Sequence, residues 1–235
     1  MSGTTATNNE NHLISLLPRK ERDQILEICE LVEIIFGTVL CEPDQPFSHV
    51  YFPLSGYISL VKSVQKHPPM EVGLIGNEGM LGAKLVLGVN NADLQGVVQG
   101  PGIVLRMTTM EFLRILRDNP DFKIIIKRYL SVLMSQLSQT IACSRFHEVT
   151  ARLARWLLLT HDRTIGDQFN LTHRYLAEML GVQRSAITIA AGLLQQKKII
   201  HYVRGDIRIL NRKALEAASC ECYNAVNDDY FQIFA

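Results

Sequence analysis

Between Asn170 and Ile200 apolar positions recur at helical spacing on both sides of a glycine, and the rest of the chain can be set out around that stretch. Tyr175, Leu176, Met179 and Leu180 form one apolar stripe behind Thr172, a residue type that caps helix N-termini. Gly181 ends this helix, because glycine takes the left-handed conformation that reverses a chain, and Val182 can tuck into the angle. In the helix that follows, Ile187, Ala190, Ala191 and Leu194 are apolar, while Gln183, Arg184, Ser185 and Thr188 leave the first two turns polar. That order fits a helix-turn-helix, whose second helix presents its N-terminal residues to base edges; it also fits an ordinary helical hairpin. After Ile199 and Ile200, the stretch HYVRGDIRIL alternates around Arg204-Gly205-Asp206 and predicts a β-hairpin. A hairpin there makes a winged helix, with Arg204 and Arg208 placed beside the DNA phosphates.

Upstream, HLISLLPRKERDQILEICELVEI predicts two short helices, with Pro18 opening the second and Ile25, Leu26 and Cys29 facing inward. From Glu33 to Thr108 the texture changes to short runs rich in β-branched and aromatic residues. Ten of the fifteen glycines fall between Gly37 and Gly102, and strands with glycine turns predict an antiparallel barrel or sandwich. Helical spacing returns over Thr108 to Arg117, and Asn119-Pro120 marks a break. A long helix then carries Ile126, Leu130, Leu133, Leu137 and Ile141 at intervals of four and three, widened by Phe122, Ile125, Tyr129 and Val132. So broad a stripe predicts one side on the chain's own domain and the other on a two-fold copy, with Phe122, Ile126, Tyr129, Leu130, Leu133, Leu137 and Ile141 as the dimer seam. The same pattern also fits a helix wholly buried within one chain. Another amphipathic helix, Glu148 to His161, has Leu153, Trp156, Leu157 and Leu158 on its core face.

Composition adds a soluble, globular character and room for two cores: 235 residues, 47% apolar and 20% charged. The pattern predicts a barrel domain over 12–118, a dimerisation helix over 119–147 and a winged-helix domain over 148–235. No apolar run reaches the length of a membrane span, and the polar N-terminus, expected to fray, lacks the features of a secretory signal, so a cytoplasmic location is expected. Charge is unevenly placed. Glu148 to Lys213 holds 11 Lys and Arg against 5 Asp and Glu, whereas residues 1–147 hold 13 against 14. A basic segment of that kind is the electrostatic footprint of a nucleic-acid partner.

This arrangement resembles the Crp-Fnr family, the cyclic-AMP-receptor and fumarate-nitrate-reductase regulators, over nearly the whole chain. The resemblance is carried by LTHRYLAEMLGVQRSAITIAAGLLQQKKII, by HVYFPLSGYISLV and by VGLIGNEGMLG. It implies an α+β chain with an N-terminal antiparallel β-barrel (a cyclic-nucleotide-binding-like jelly roll), a long dimerisation helix and a C-terminal winged helix-turn-helix. It further implies double-stranded DNA, a second copy of the chain and RNA polymerase as partners. Arg184 falls at the family's guanine-reading arginine, where a bidentate contact to O6 and N7 is available. The DNA-contacting residues expected are Thr172, His173, Gln183, Arg184, Ser185, Thr188 and Arg204. Ser185 stands where many members have glutamate, and Ile189 where a second basic residue is expected, so a different operator is implied. In the sensor the residues Gly82, Ala83, Lys84 and Leu85 mark the effector position. Members that bind cyclic nucleotides carry Gly-Glu and Arg-Ser or Arg-Thr pairs, since a buried cyclic phosphate needs a cation and hydroxyl donors. Here Ala83 follows Gly82 and GVNNADLQGVV has no arginine, so the cassette is dismantled and any effector is of another kind.

Five scattered cysteines (Cys29, Cys41, Cys143, Cys220, Cys222) suit reduced thiols. Cys220-Glu221-Cys222 is a pair of soft ligands, but its spacing is tighter than usual for structural zinc and neither a second pair nor a histidine lies nearby in sequence, so no metal or cofactor is expected. His49, His67, His147 and His161 are isolated. No nucleophile turn, P-loop or dinucleotide fingerprint is present, which argues against an enzyme. Two functions remain: a homodimeric DNA-binding regulator, and a ligand-binding or protein-interaction module whose winged helix has become a docking surface. The basic segment and Arg184 favour the first.

Overall fold

The computed structural model describes residues 10–164 and 166–234; the expected frayed start falls mostly on residues 1–9, outside the described residues. Two short helices, α1 (His12–Ser15) and α2 (Arg19–Ile28), lead into strands β1 (Glu30–Ile34), β2 (Val39–Cys41), β3 (His49–Pro53), β4 (Tyr57–Lys62), β5 (Met70–Ile75), β6 (Gln95–Gly100) and β7 (Gly102–Thr108). Helices α3 (Thr109–Asp118), α4 (Pro120–Phe146) and α5 (Val149–His161) follow, then β8 (Gln168–Asn170), α6 (His173–Leu180), α7 (Arg184–Gln196), β9 (Ile200–Val203), β10 (Asp206–Ile209), α8 (Arg212–Ala218) and α9 (Cys222–Phe234). No helix among the described residues is long and apolar enough to cross a membrane.

The chain forms two compact units, Met1–Ile58 with Ile75–Leu130 and Ser59–Leu74 with Ser131–Ala235. The division falls within α4, between Leu130 and Ser131, and residues 59–74 group with the C-terminal half. The strands lie in one sheet of order β1-β7-β3 and another of order β2-β6-β4-β5. In the first, β7 runs antiparallel to both neighbours, with Glu30 opposite Arg106 and His49 opposite Thr108.

In the first unit the core is aromatic. Phe52, Phe112 and Phe122 are fully buried and meet at centroid distances of 6.1–6.4 Å, an arrangement worth about 0.5–1.5 kcal/mol per pair beyond area burial. Local signals place these rings. A capping box, in which Thr108 accepts from the Glu111 amide and Glu111 bonds back, starts α3. Asn119 Oδ1 accepts from the Phe122 amide at 2.9 Å and starts α4, with Pro120 in the first turn. Buried Asn11 fixes α1 by donating to the Pro53 and Gly79 carbonyls at 3.1 and 2.8 Å. Ile25 faces inward as expected, whereas Leu26 is exposed, because the single buried stripe of α2 passes through Ile25 alone.

Four of the seven residues expected at the dimer seam along α4 are instead core of the chain itself. Phe122, Ile126, Tyr129 and Leu130 are at most 8% exposed and belong to the core of the first unit, where the Tyr129 ring fills the space a side chain on Gly79 would take. Leu133 and Leu137 are half-buried and Ile141 is exposed. A stripe of apolar residues cannot show by itself which of its sides the rest of the chain covers.

In the second unit α5 is the central helix, buried at every position from Leu153 to Thr160. Trp156 donates its indole N–H to Glu71 Oε1 at 2.7 Å, and Ser59 donates to the other carboxyl oxygen at 2.5 Å. Burial pushes the Glu71 carboxyl up to about 7, against the pull of those two bonds and of Arg155 and Arg163.

Candidate nucleic-acid interface

Helix α6 begins at Thr172, whose hydroxyl accepts from the Tyr175 amide at 3.2 Å. It ends in a Schellman motif: the Gly181 amide bonds the Glu178 carbonyl at 3.1 Å and the Val182 amide bonds the Ala177 carbonyl at 2.9 Å. Gly181 has φ 62°, the left-handed conformation that favours glycine, and the Met70 side chain packs against it. The Arg152 guanidinium donates to the Leu180 carbonyl, satisfying another group at that helix end.

Helix α7 buries Ile187, Ala190, Ala191 and Leu194, each no more than 3% exposed. The opposite face of its first two turns is open: Gln183, Arg184, Ser185, Thr188 and Ile189 are all exposed. Gln183 makes no side-chain cap bond, and the Ala186 amide bonds the Gln183 carbonyl at 3.0 Å.

Two of the residues expected to contact DNA are occupied within the protein. Thr188 Oγ1 lies 3.0 Å from His173 Nδ1 and also donates to the Arg184 carbonyl at 3.1 Å. His173 is half-buried and stacks on Tyr202, with centroids 4.5 Å apart at 21°. Burial, with Arg184 nearby, lowers its affinity for a proton and favours the neutral ring. His173 thus braces α6, α7 and the wing against one another. Gln183, Arg184, Ser185, Thr172 and Arg204 remain on the surface.

The wing is the predicted hairpin. Strands β9 and β10 pair with Val203 opposite Asp206, joined by Arg204 and Gly205 at φ 51° and 92°. Positive φ at both central residues matches the right-handed twist of a two-residue hairpin and holds the exposed Arg204 at its tip. The Leu171 amide bonds the Gly205 carbonyl at 2.6 Å and Tyr202 donates its hydroxyl to the Leu171 carbonyl at 2.9 Å, fixing the wing to the start of α6. A third strand, β8, pairs with β10 and was not anticipated, since Gln168-Phe169-Asn170 is too short to show a period. It places the exposed Arg208 opposite Gln168 in the middle of the sheet.

At the position expected for an effector, Gly82 precedes a 3-10 turn over Ala83–Leu87. Ala83 and Leu85 point into the core, at 3% and 1% exposure, and Lys84 bonds Asp93 at 3.0 Å. The one cation of this segment is thereby held by a carboxylate.

Residues 151–218 match the Crp-like helix-turn-helix domain family. Over 176 residues the chain is 26% identical to a global nitrogen regulator of Nostoc sp., covering 71% of this chain and 79% of the relative. Among solved structures it is similar in fold to a transcriptional regulator of the Crp/Fnr family from Eubacterium rectale (TM-score 0.69, 16% identity, 88% of this chain and 97% of that one). It is similar as well to FixK2 from Bradyrhizobium japonicum (TM-score 0.69, 13% identity, 82% and 98%).

Proposed function

Because this chain belongs to the Crp-Fnr family of transcription regulators and carries the family's DNA-binding helix-turn-helix over residues 151–218, we propose that it acts as a homodimer reading a two-fold symmetric operator through α7. The observation that carries this reading is the open N-terminal face of α7, held to α6 and the wing through the Thr188–His173 contact and the His173–Tyr202 stack. Arg184 reads guanine through O6 and N7, and Ile189, 65% exposed where a polar reader is usual, meets a thymine methyl. Arg204 and Arg208 hold phosphates. Two such helices on a two-fold dimer reach half-sites about 34 Å apart. Bound there, the protein adjusts transcription by the contact it makes or denies to RNA polymerase, without chemistry of its own.

The test is selection of bound sequences from random DNA at stated salt. A symmetric site should be enriched; if none is, the winged helix serves as a docking surface. Arg184→Ala should lose about 1–3 kcal/mol on the selected site and relax preference at one base pair per half-site. Arg204→Ala should weaken all sequences alike and shallow the salt dependence by about one unit of slope. An Arg184→Ala protein that selects the same site would remove α7 from the reader's role.

The barrel does not sense a cyclic nucleotide through the family's usual cassette. A cyclic phosphate buried beside Ala83 and Leu85 would meet neither arginine nor glutamate, and charge-assisted bonds are worth about 1.5–3 kcal/mol each, so losing two weakens binding by roughly a hundredfold or more. Calorimetry against cyclic AMP and cyclic GMP should show no micromolar binding. Heat of binding at that level, with raised DNA affinity, would show that Lys84 leaves Asp93 to take the phosphate.

A further inference from the structure

Four metal-ligand side chains meet within the second unit, at the end of the long helix. Cys143 lies in the last turn of α4 and His147 directly follows Phe146, its amide bonded to the Cys143 carbonyl at 3.2 Å, so the two side chains sit one turn apart at the helix end. Cys220 and Cys222 flank a single residue between α8 and α9. Cys143 Sγ lies 3.6 Å from Cys220 Sγ, and Cys222 Sγ lies 3.4 Å from His147 Nδ1. All four ligand atoms fall within 4.8 Å of one another. A tetrahedral zinc ion, with Zn–S of about 2.3 Å and Zn–N of about 2.0–2.1 Å, needs ligand-to-ligand separations on the order of 3.5–3.8 Å.

We propose that Cys143, His147, Cys220 and Cys222 form a Cys3His site for Zn2+ that ties the end of α4 to the start of α9. Three features beyond the cage itself fit an ion rather than a chance cluster of thiols. His147 Nε2 is 3.1 Å from the Glu221 carboxylate, the partner that orients a metal-bound imidazole and leaves Nδ1 for the ion. Gln139 Nε2 donates to Cys222 Sγ at 2.9 Å, as an amide does to a thiolate. Arg152 and Arg155 lie close enough to act electrostatically on Cys143, and offset the net negative charge of three thiolates around a divalent ion.

The chemistry selects the ion. Three sulfurs and one imidazole suit Zn2+ over the oxygen-seeking Mg2+ and Ca2+. An iron–sulfur cluster spreads its cysteines over separate irons and needs a wider cage. With four protein ligands, and the three cysteines no more than 7% exposed, no coordination position is left for substrate, so the site is structural. Its ligands must be deprotonated, so the ion displaces thiol protons on binding and its free energy adds to that of folding.

The experiment uses the full chain purified without chelator. Elemental analysis should find about one zinc per chain. Replacing zinc by Co2+ should give the visible bands of a tetrahedral site together with thiolate-to-cobalt charge transfer. Cys220→Ser should abolish stoichiometric zinc, Cys41→Ser should retain it, and Glu221→Gln should weaken zinc about 10- to 100-fold, read by competition with a chromophoric chelator. Should Cys220→Ser fail to fold, the cobalt spectrum of the unaltered chain decides. A chain with neither zinc nor cobalt bands would overturn the proposal, as would iron with acid-labile sulfide in its place.

Discussion

Replacing Met134 and Ile141 together by glutamate is expected to turn the proposed dimer into monomers while leaving each chain folded. The two residues stand seven apart on α4 and share one face with Ser131 and Ser138, small side chains that let a second helix approach closely. Met134 and Ile141 are 67% and 66% exposed, so their replacement removes little from the chain's own core. Burying such a side chain contributes about 1.5–3 kcal/mol, and two-fold symmetry counts each residue twice. Losing four therefore removes at least about 6 kcal/mol, a rise of roughly ten-thousandfold in the dissociation constant before any cost of buried charge. Sedimentation should show monomers, thermal unfolding should shift little, and operator binding should fall with the second half-site. An unchanged dimer would place the interface on another face.

Of the seam that the spacing of apolar residues predicts, that face keeps Ile141 but not the buried Phe122, Ile126, Tyr129 and Leu130, and the reason is physical. Phe122, Ile126, Leu130 and Leu137 have helical periodicity whether their stripe meets a partner or the same chain. What settles the matter is that Phe52 and Phe112, distant in sequence, fill the space beside Phe122. Elsewhere local chemistry was enough. Thr172, Gly181 and the stripe Ile187, Ala190, Ala191 and Leu194 define the two helices and their turn, and Arg204-Gly205 defines the wing, because caps, left-handed turns and amphipathic faces are written over a few neighbouring residues.

Legibility fails where function depends on side chains brought together from afar. His173 and Thr188 look like DNA contacts in a polar stretch, yet folding sets them against each other and against Tyr202. Cys220 and Cys222 look incomplete as ligands because Cys143 and His147 lie some seventy-five residues upstream. A cysteine and a histidine four apart near a helix end are the one local sign, and by itself that sign leaves His147 looking isolated. Glu71 is similarly hidden. In MEVGLI it reads as one polar position of a strand, and nothing local reports that Trp156 will close over it.

Glu71→Gln is expected to remove a pH dependence from the stability of the second unit. The carboxyl is buried, with Trp156 and Ser59 on its two oxygens, and burial raises it to about 7, against about 4.3 for an unfolded glutamate. Between those values the folded chain keeps a proton that the unfolded chain has released. Stability from this group is therefore complete below the unfolded value and is lost as pH rises through the folded one. Across the whole interval the loss is on the order of 3 kcal/mol. Glutamine still accepts from the Trp156 indole, turns its amide N–H toward the Ser59 oxygen, and cannot ionise beside Arg155 and Arg163. Urea unfolding of both proteins from about pH 4 to about pH 8 isolates the effect, since every other titrating group is common to the pair. The variant should gain on the parent by roughly 3 kcal/mol over that range, most steeply between about pH 4.5 and 7. Parallel stability curves would mean that Glu71 is already ionised in the folded chain, held as a carboxylate by Arg155 and Arg163.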